Sequence, residues 1–114
     1  MKVLIFILPA ILCSIAAQSQ TWTVKCQSVK IEYSKWSNCT PTDIKITYDR
    51  DNNNIQVNNT VHNIVDTQPI GNGSIRFKTQ YDNRYFTITM NIKAKTIIIS
   101  ENKSPLMMVN FQLK

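Results

Sequence analysis

Arg84-Tyr85-Phe86-Thr87-Ile88-Thr89-Met90-Asn91-Ile92 decides the fold. Phe86, Ile88, Met90 and Ile92 alternate with Thr87, Thr89 and Asn91. That period of two belongs to a strand with one dry face and one wet face. The same alternation spreads outward from this stretch. Ile75 and Phe77 oppose Arg76 and Lys78. Ile44, Ile46 and Tyr48 oppose Lys45 and Thr47, and Ile55 and Val57 start a return strand. Trp22, Val24 and Cys26 oppose Thr21, Thr23 and Lys25. At the other end, Val109, Phe111 and Leu113 alternate with Asn110 and Gln112. Helical periodicity is nearly absent.

Two stretches depart from simple alternation. Val29, Ile31 and Tyr33 continue the first strand on the opposite parity, so a bulge is expected near Gln27-Ser28. One inserted residue re-aims every side chain after it. Thr96-Ile97-Ile98-Ile99-Ser100 is apolar on both faces and reads as a central strand covered on both sides, since an exposed run of this kind promotes aggregation.

Turns separate the strands. Arg50-Asp51-Asn52-Asn53-Asn54, Asn58-Asn59 and Tyr81-Asp82-Asn83 are rich in the two non-glycine residues that best tolerate left-handed backbone. Residues 66–74, with Pro69, Gly71 and Gly73, read as the main loop, and residues 34–42 read as turn-like. Seven or eight short strands with short connections imply sequential antiparallel neighbours. The expected fold is all-β: an antiparallel meander closed into a small up-and-down barrel, with a two-layer sandwich as the alternative.

Residues 1–17 read as a signal peptide. Lys2 supplies the charge, the stretch from Val3 to Leu12 is apolar, and Ser14, Ala16 and Ala17 are the small residues a signal peptidase reads. The apolar run falls short of the ~20 residues that span a bilayer. Cleavage is expected within residues 16–19, leaving residues 18–114 as one β domain, secreted or periplasmic, with no integral membrane segment. A lipid anchor on Cys13 would need a small residue where Leu12 stands. In an oxidising compartment the two remaining cysteines, Cys26 and Cys39, are expected to pair; two free thiols are the alternative.

Without Lys2, the formal charge of +6 falls by one. The basic residues are scattered along the chain and form no polybasic arm, so nucleic acid is not the expected partner, and the charge is expected to aid solubility or attraction to anionic surfaces. Catalytic signals are sparse. His62 is the sole histidine, and no partner acid or nucleophile is evident from spacing. No serine sits in a nucleophile elbow. Asp49-Arg50-Asp51-Asn52-Asn53-Asn54 superficially resembles a calcium loop, but Asn54 and Thr60 stand where an EF-hand needs Gly and Glu. No metal or cofactor is expected. Asn38, Asn58, Asn72 and Asn102 begin Asn-x-Ser/Thr triplets at predicted turns, positions that suit surface glycans in a eukaryotic secretory protein.

Tyr33, Trp36, Asp43-Ile44-Lys45-Ile46-Thr47-Tyr48-Asp49 and Asn54-Ile55-Gln56-Val57 together resemble small all-β exported proteins of Bacteroidetes and their phages. The resemblance covers about a third of the chain. It implies a bacterial source and a calycin-like fold, and it brings no activity.

The resulting expectation is a non-catalytic binding or interaction module. Trp36, Tyr33, Tyr81 and Tyr85 are the candidate contact residues, beside the 66–74 loop. The partner would be a protein, a glycan or a small apolar ligand. A lipocalin-like carrier is the alternative, followed by an inhibitor of a secreted hydrolase or a small carboxylate hydrolase.

Overall fold

The structure, a computed structural model, describes residues 19–114; the expected signal peptide, residues 1–17, lies outside the described residues. Nine strands follow one another: β1 (Ser19–Ile31), β2 (Thr40–Pro41), β3 (Lys45–Asp49), β4 (Asn54–Val57) and β5 (Thr60–Gly71), then β6 (Ser74–Tyr81), β7 (Arg84–Asn91), β8 (Thr96–Glu101) and β9 (Met107–Leu113). All pair antiparallel. From β3 to β9 each strand pairs with the next, and β1 closes the circle by pairing with both β3 and β9. The result is a closed eight-stranded barrel, with two-residue β2 added beside β1.

Closure depends on a division of labour within β1. Its first part, Ser19 to Thr23, pairs with β3, and its second, Val24 to Ile31, pairs with β9. The register breaks between Val24 and Cys26, leaving Lys25 as the extra residue. Ahead of the break Val24 lies opposite Leu113 in the core; after it Gln27 and Val29 lie opposite Phe111 and Val109. The parity switch seen in the sequence is therefore real, but it sits two residues earlier than Gln27-Ser28. Cys26 and Ser28 face outward, yet both are buried. Residues 37–44 cover them: the Ser37 and Val29 backbones join at 2.9 Å, and the Val24 N–H donates to the Ile44 carbonyl at 2.9 Å. The Cys26–Cys39 disulfide fastens that cover to β1.

The barrel is filled by the inward residues of every strand. Val24, Ile46, Ile55, Ile88 and Ile97 have no exposed surface, and burying each such side chain stabilises the fold by about 1.5–3 kcal/mol. Phe77 and Met90 complete this layer. β8 differs from expectation. Ile97 is enclosed, but Ile98 faces outward between Thr89 and Asn110 and is only half-buried, because the barrel wall has a single dry side. Ile92 also departs from the inward pattern. It lies past the end of β7, in the turn, and is 41% exposed.

Left-handed residues make the turns the sequence announced. Asn58 stands at φ 58°, Asp82 and Asn83 at 51° and 60°, and Asn72 and Gly73 at 54° and 78°. Two-residue connections of this hand suit the twist of paired strands. The expected 66–74 loop is mostly strand: β5 runs to Gly71, and only Asn72-Gly73 turns the chain. Pro69 is tolerated because β4 reaches only to Asn63, so beyond Ile64 the outer edge of β5 is unpaired and a missing donor costs nothing. β6 itself stays paired with β7 down to Ser74, so the free edge belongs to the end of β5 alone; the molecule measures 52 × 29 × 29 Å.

Candidate functional site

At the end of the barrel bounded by the 58–59, 82–83 and 102–106 turns, the inward side chains do not meet. They leave an open cup of about 250 Å³. Val57, Phe86, Ile99, Val109 and Phe111 form its apolar wall, with Thr60 adding a methyl and a hydroxyl. Val57, Thr60 and Val109 are short side chains at the level where facing strands would need long ones to plug the interior. An adjoining recess of about 140 Å³ shares Phe86, Ile99 and Val109, and reaches the rim at Glu101, Lys103 and Met107.

Three polar side chains enter the cup: His62 from β5, Tyr81 from β6 and Arg84 from β7. Register brings them together. His62 is on the strand beside Tyr81, and Tyr81 is the direct partner of Arg84 across the two-residue turn Asp82-Asn83. The Arg84 guanidinium lies 5.8 Å from the Tyr81 ring centre and 5.5 Å from that of Phe86. Arg84 Nε is 3.6 Å from Glu101 Oε2, and Lys103 Nζ is 3.6 Å from Glu101 Oε1. Two cations thus share one carboxylate, and two further carboxylates stand at this end: exposed Asp82 in the 82–83 turn, and Glu32, whose Oε1 accepts the Leu106 N–H at 3.0 Å.

His62 is 5% exposed. Its ring meets Phe86 edge-on at 4.8 Å and tilts over Tyr81 at 5.4 Å. Nδ1 is 3.5 Å from the hydroxyl of Thr79, itself fully buried. Burial, and then the neighbouring Arg84 charge, hold its pKa below the ordinary 6.5. At neutral pH the imidazole is uncharged, so it offers the cup one hydrogen-bonding nitrogen at little electrostatic cost.

The residues singled out from sequence are dispersed. Tyr81 lines the cup. Tyr85 faces outward on β7 and is 54% exposed. Tyr33 is 95% exposed at the tip of the β1–β2 turn, at φ 66°. Trp36 lies outside the cup with Lys30 Nζ 5.9 Å from its ring centre. No single aromatic face unites the four. The Asp49 carboxylate is engaged by Asn52, which donates its backbone N–H at 3.2 Å and Nδ2 at 2.8 Å, lowering the Asp49 pKa. Among the described residues no group of three or more His, Cys, Asp or Glu side chains is placed to hold a metal ion.

Arg84 escaped sequence reasoning as a site residue. The signal was available: residues flanking a two-residue turn must face each other, so Tyr81 identifies Arg84.

No protein family, curated protein or solved structure matches the chain. Among the described residues no helix is long and apolar enough to cross a membrane.

Proposed function

We propose that this protein is an exported, non-catalytic carrier whose barrel mouth holds one small amphipathic molecule. The cup of about 250 Å³ carries the reading. It lies just below the ~300–1,000 Å³ of sites that enclose drug-sized ligands. A ligand matched to it is short, with an apolar body against Phe86, Ile99 and Phe111 and a polar end near Arg84 and Lys103. Its surroundings also favour binding over chemistry: His62 is packed against two aromatic rings and paired with a hydroxyl, without the oriented acid a general base uses. The Cys26–Cys39 disulfide supports a secreted or periplasmic location.

Titration calorimetry with decanoate and decanol tests the proposal. Saturable one-to-one binding of at least one is expected, with loss of binding in Val109→Trp, which fills the cup; circular dichroism confirms that the variant is folded. Absence of binding by both ligands, or binding undiminished in the folded variant, overturns the carrier reading.

Tyr33 favours a second role, contact with a protein or glycan. An aromatic residue held at positive φ and exposed to solvent is a strained placement, and strain of this kind clusters at active sites, ligand clamps and switch regions. Tyr33→Asn abolishing capture of a host-secreted partner would support it; unchanged capture would remove it.

A further inference from the structure

Basic residues that are scattered in sequence meet on one outer face of the barrel. Thr23 pairs with Lys45 across one edge of β1, and its carbonyl accepts the Lys114 N–H across the other at 3.0 Å. Lys25 is the bulged residue just beyond, between Val24, opposite Leu113, and Cys26, opposite Gln112. The Leu113 N–H donates to the Lys95 carbonyl at 2.9 Å, which brings the β7–β8 turn, with Lys93 and Lys95, against the end of β9. Lys25, Lys45, Lys93, Lys95 and Lys114 are all exposed. None of them forms an ion pair among the described residues, where both salt bridges belong to Glu101. Asp43 is the acidic side chain closest in sequence, next to Thr42, whose N–H donates to the Lys25 carbonyl at 3.4 Å.

Hydroxyl groups adjoin these ammonium groups. Thr21 and Thr47 face outward beside Thr23 and Lys45, with their Oγ1 atoms 2.9 Å apart. Exposed aromatics lie elsewhere, at Tyr33, Trp36 and Tyr85, so the face lacks the stacking platforms that bind single-stranded nucleic acid. Ile92, beside Lys93, and Ile75, opposite Met90 on the adjoining strand, are each 41% exposed, a small apolar spot, whereas insertion into a bilayer uses a broad apolar face. Flexible, well-spaced ammonium groups interleaved with hydroxyls suit a polymer of spaced anions and sugar hydroxyls.

We propose that this lysine face binds an acidic polysaccharide, sulfated or rich in uronic acid. The site is separate from the barrel mouth, and its occupancy is independent of any ligand there. Clustered lysines neutralising a polyanion release its counterions, so the affinity falls steeply with salt.

A heparin octasaccharide, titrated against the folded protein at several salt concentrations, is the probe. Two charge-matched triple variants separate this face from net charge: Lys25→Gln with Lys95→Gln and Lys114→Gln, and Lys35→Gln with Arg76→Gln and Lys78→Gln. The first is expected to weaken binding about tenfold or more and flatten the salt dependence, the second by less than about threefold. Equal losses in the two variants, or no binding by the unmodified protein, overturn the proposal. So does displacement of the octasaccharide by phosphatidylglycerol vesicles that depend on the same lysines, which would assign the face to membranes.

Discussion

The hydroxyl of Thr79 lies 3.5 Å from Nδ1 of His62, on adjacent strands inside the barrel wall. This pair keeps a titratable ring in a largely apolar place, and the fold therefore has a pH dependence of definite sign. The His62 pKa is lowered on folding, so its contribution is present in full above the unfolded value of about 6.5 and declines as pH falls through it. Urea midpoints measured from pH 8 to pH 5 should fall towards the acid end, and His62→Gln should flatten that part of the profile. A decline of the same size in the variant would place its origin in other groups.

Arg84 offers a way to separate the two causes. Because His62 is the only histidine, its ring protons report one titration by NMR. Burial is the larger cause of the depressed pKa and the Arg84 charge the smaller. Arg84→Met should therefore raise the titration midpoint part of the way towards 6.5 and leave the rest. Complete recovery would mean that burial contributes nothing.

The Cys26–Cys39 bridge joins residues 13 apart in sequence. Closing a loop of that size restricts the unfolded chain by about 3 kcal/mol in the chain-entropy account. The double variant Cys26→Ser with Cys39→Ser should lose stability of that order in urea unfolding. Its cover over Ser28, residues 37–44, should also lose hydrogen-exchange protection before the barrel does.

Two isoleucines on neighbouring elements should respond very differently to truncation. Ile88 has no exposed surface, and Ile88→Ala is expected to cost about 2–5 kcal/mol through the cavity it leaves. Ile92 is 41% exposed, and Ile92→Ala should stay within about 0.5 kcal/mol of the parent. Comparable losses at both positions would contradict the turn placement of Ile92.

Tyr33 combines φ 66° with 95% exposure, so its side chain gives little packing in return for its backbone strain. Tyr33→Gly should stabilise the fold by up to about 1–2 kcal/mol, the left-handed penalty for an L-residue. Destabilisation would show that the ring has a packing partner.

Fold and site were unequally legible in the sequence. Phe86, Ile88 and Met90 disclosed β7 because an inward side chain every second residue is a local signal. The switch from Val24 to Val29 disclosed the bulge for the same reason, although its position is set by pairing with Leu113 and Gln112 on distant β9. Pro69 and Gly71 misled, since their turn preference is genuine but an unpaired strand edge tolerates both. The barrel mouth was the least legible part. His62, Arg84 and Val109 come from three strands, and only barrel closure brings them to a common level. The lysine face was hidden in the same way: Lys25 and Lys95 come to the same end of the barrel only because the end of β9 pairs with β1 on one side and bonds the β7–β8 turn on the other.

The unpaired outer edge of β5 has a bearing on how the molecule behaves in a crowd of its own copies. Bare ladder edges invite copying, one strand templating the next. Here the template is flawed: Pro69 offers no N–H, and β5 breaks register at Ile64/Asp66 and again at Pro69/Gly71. An incoming strand would find too few evenly spaced groups to extend the sheet, and the end of β5 can stand in solvent without seeding a fibre.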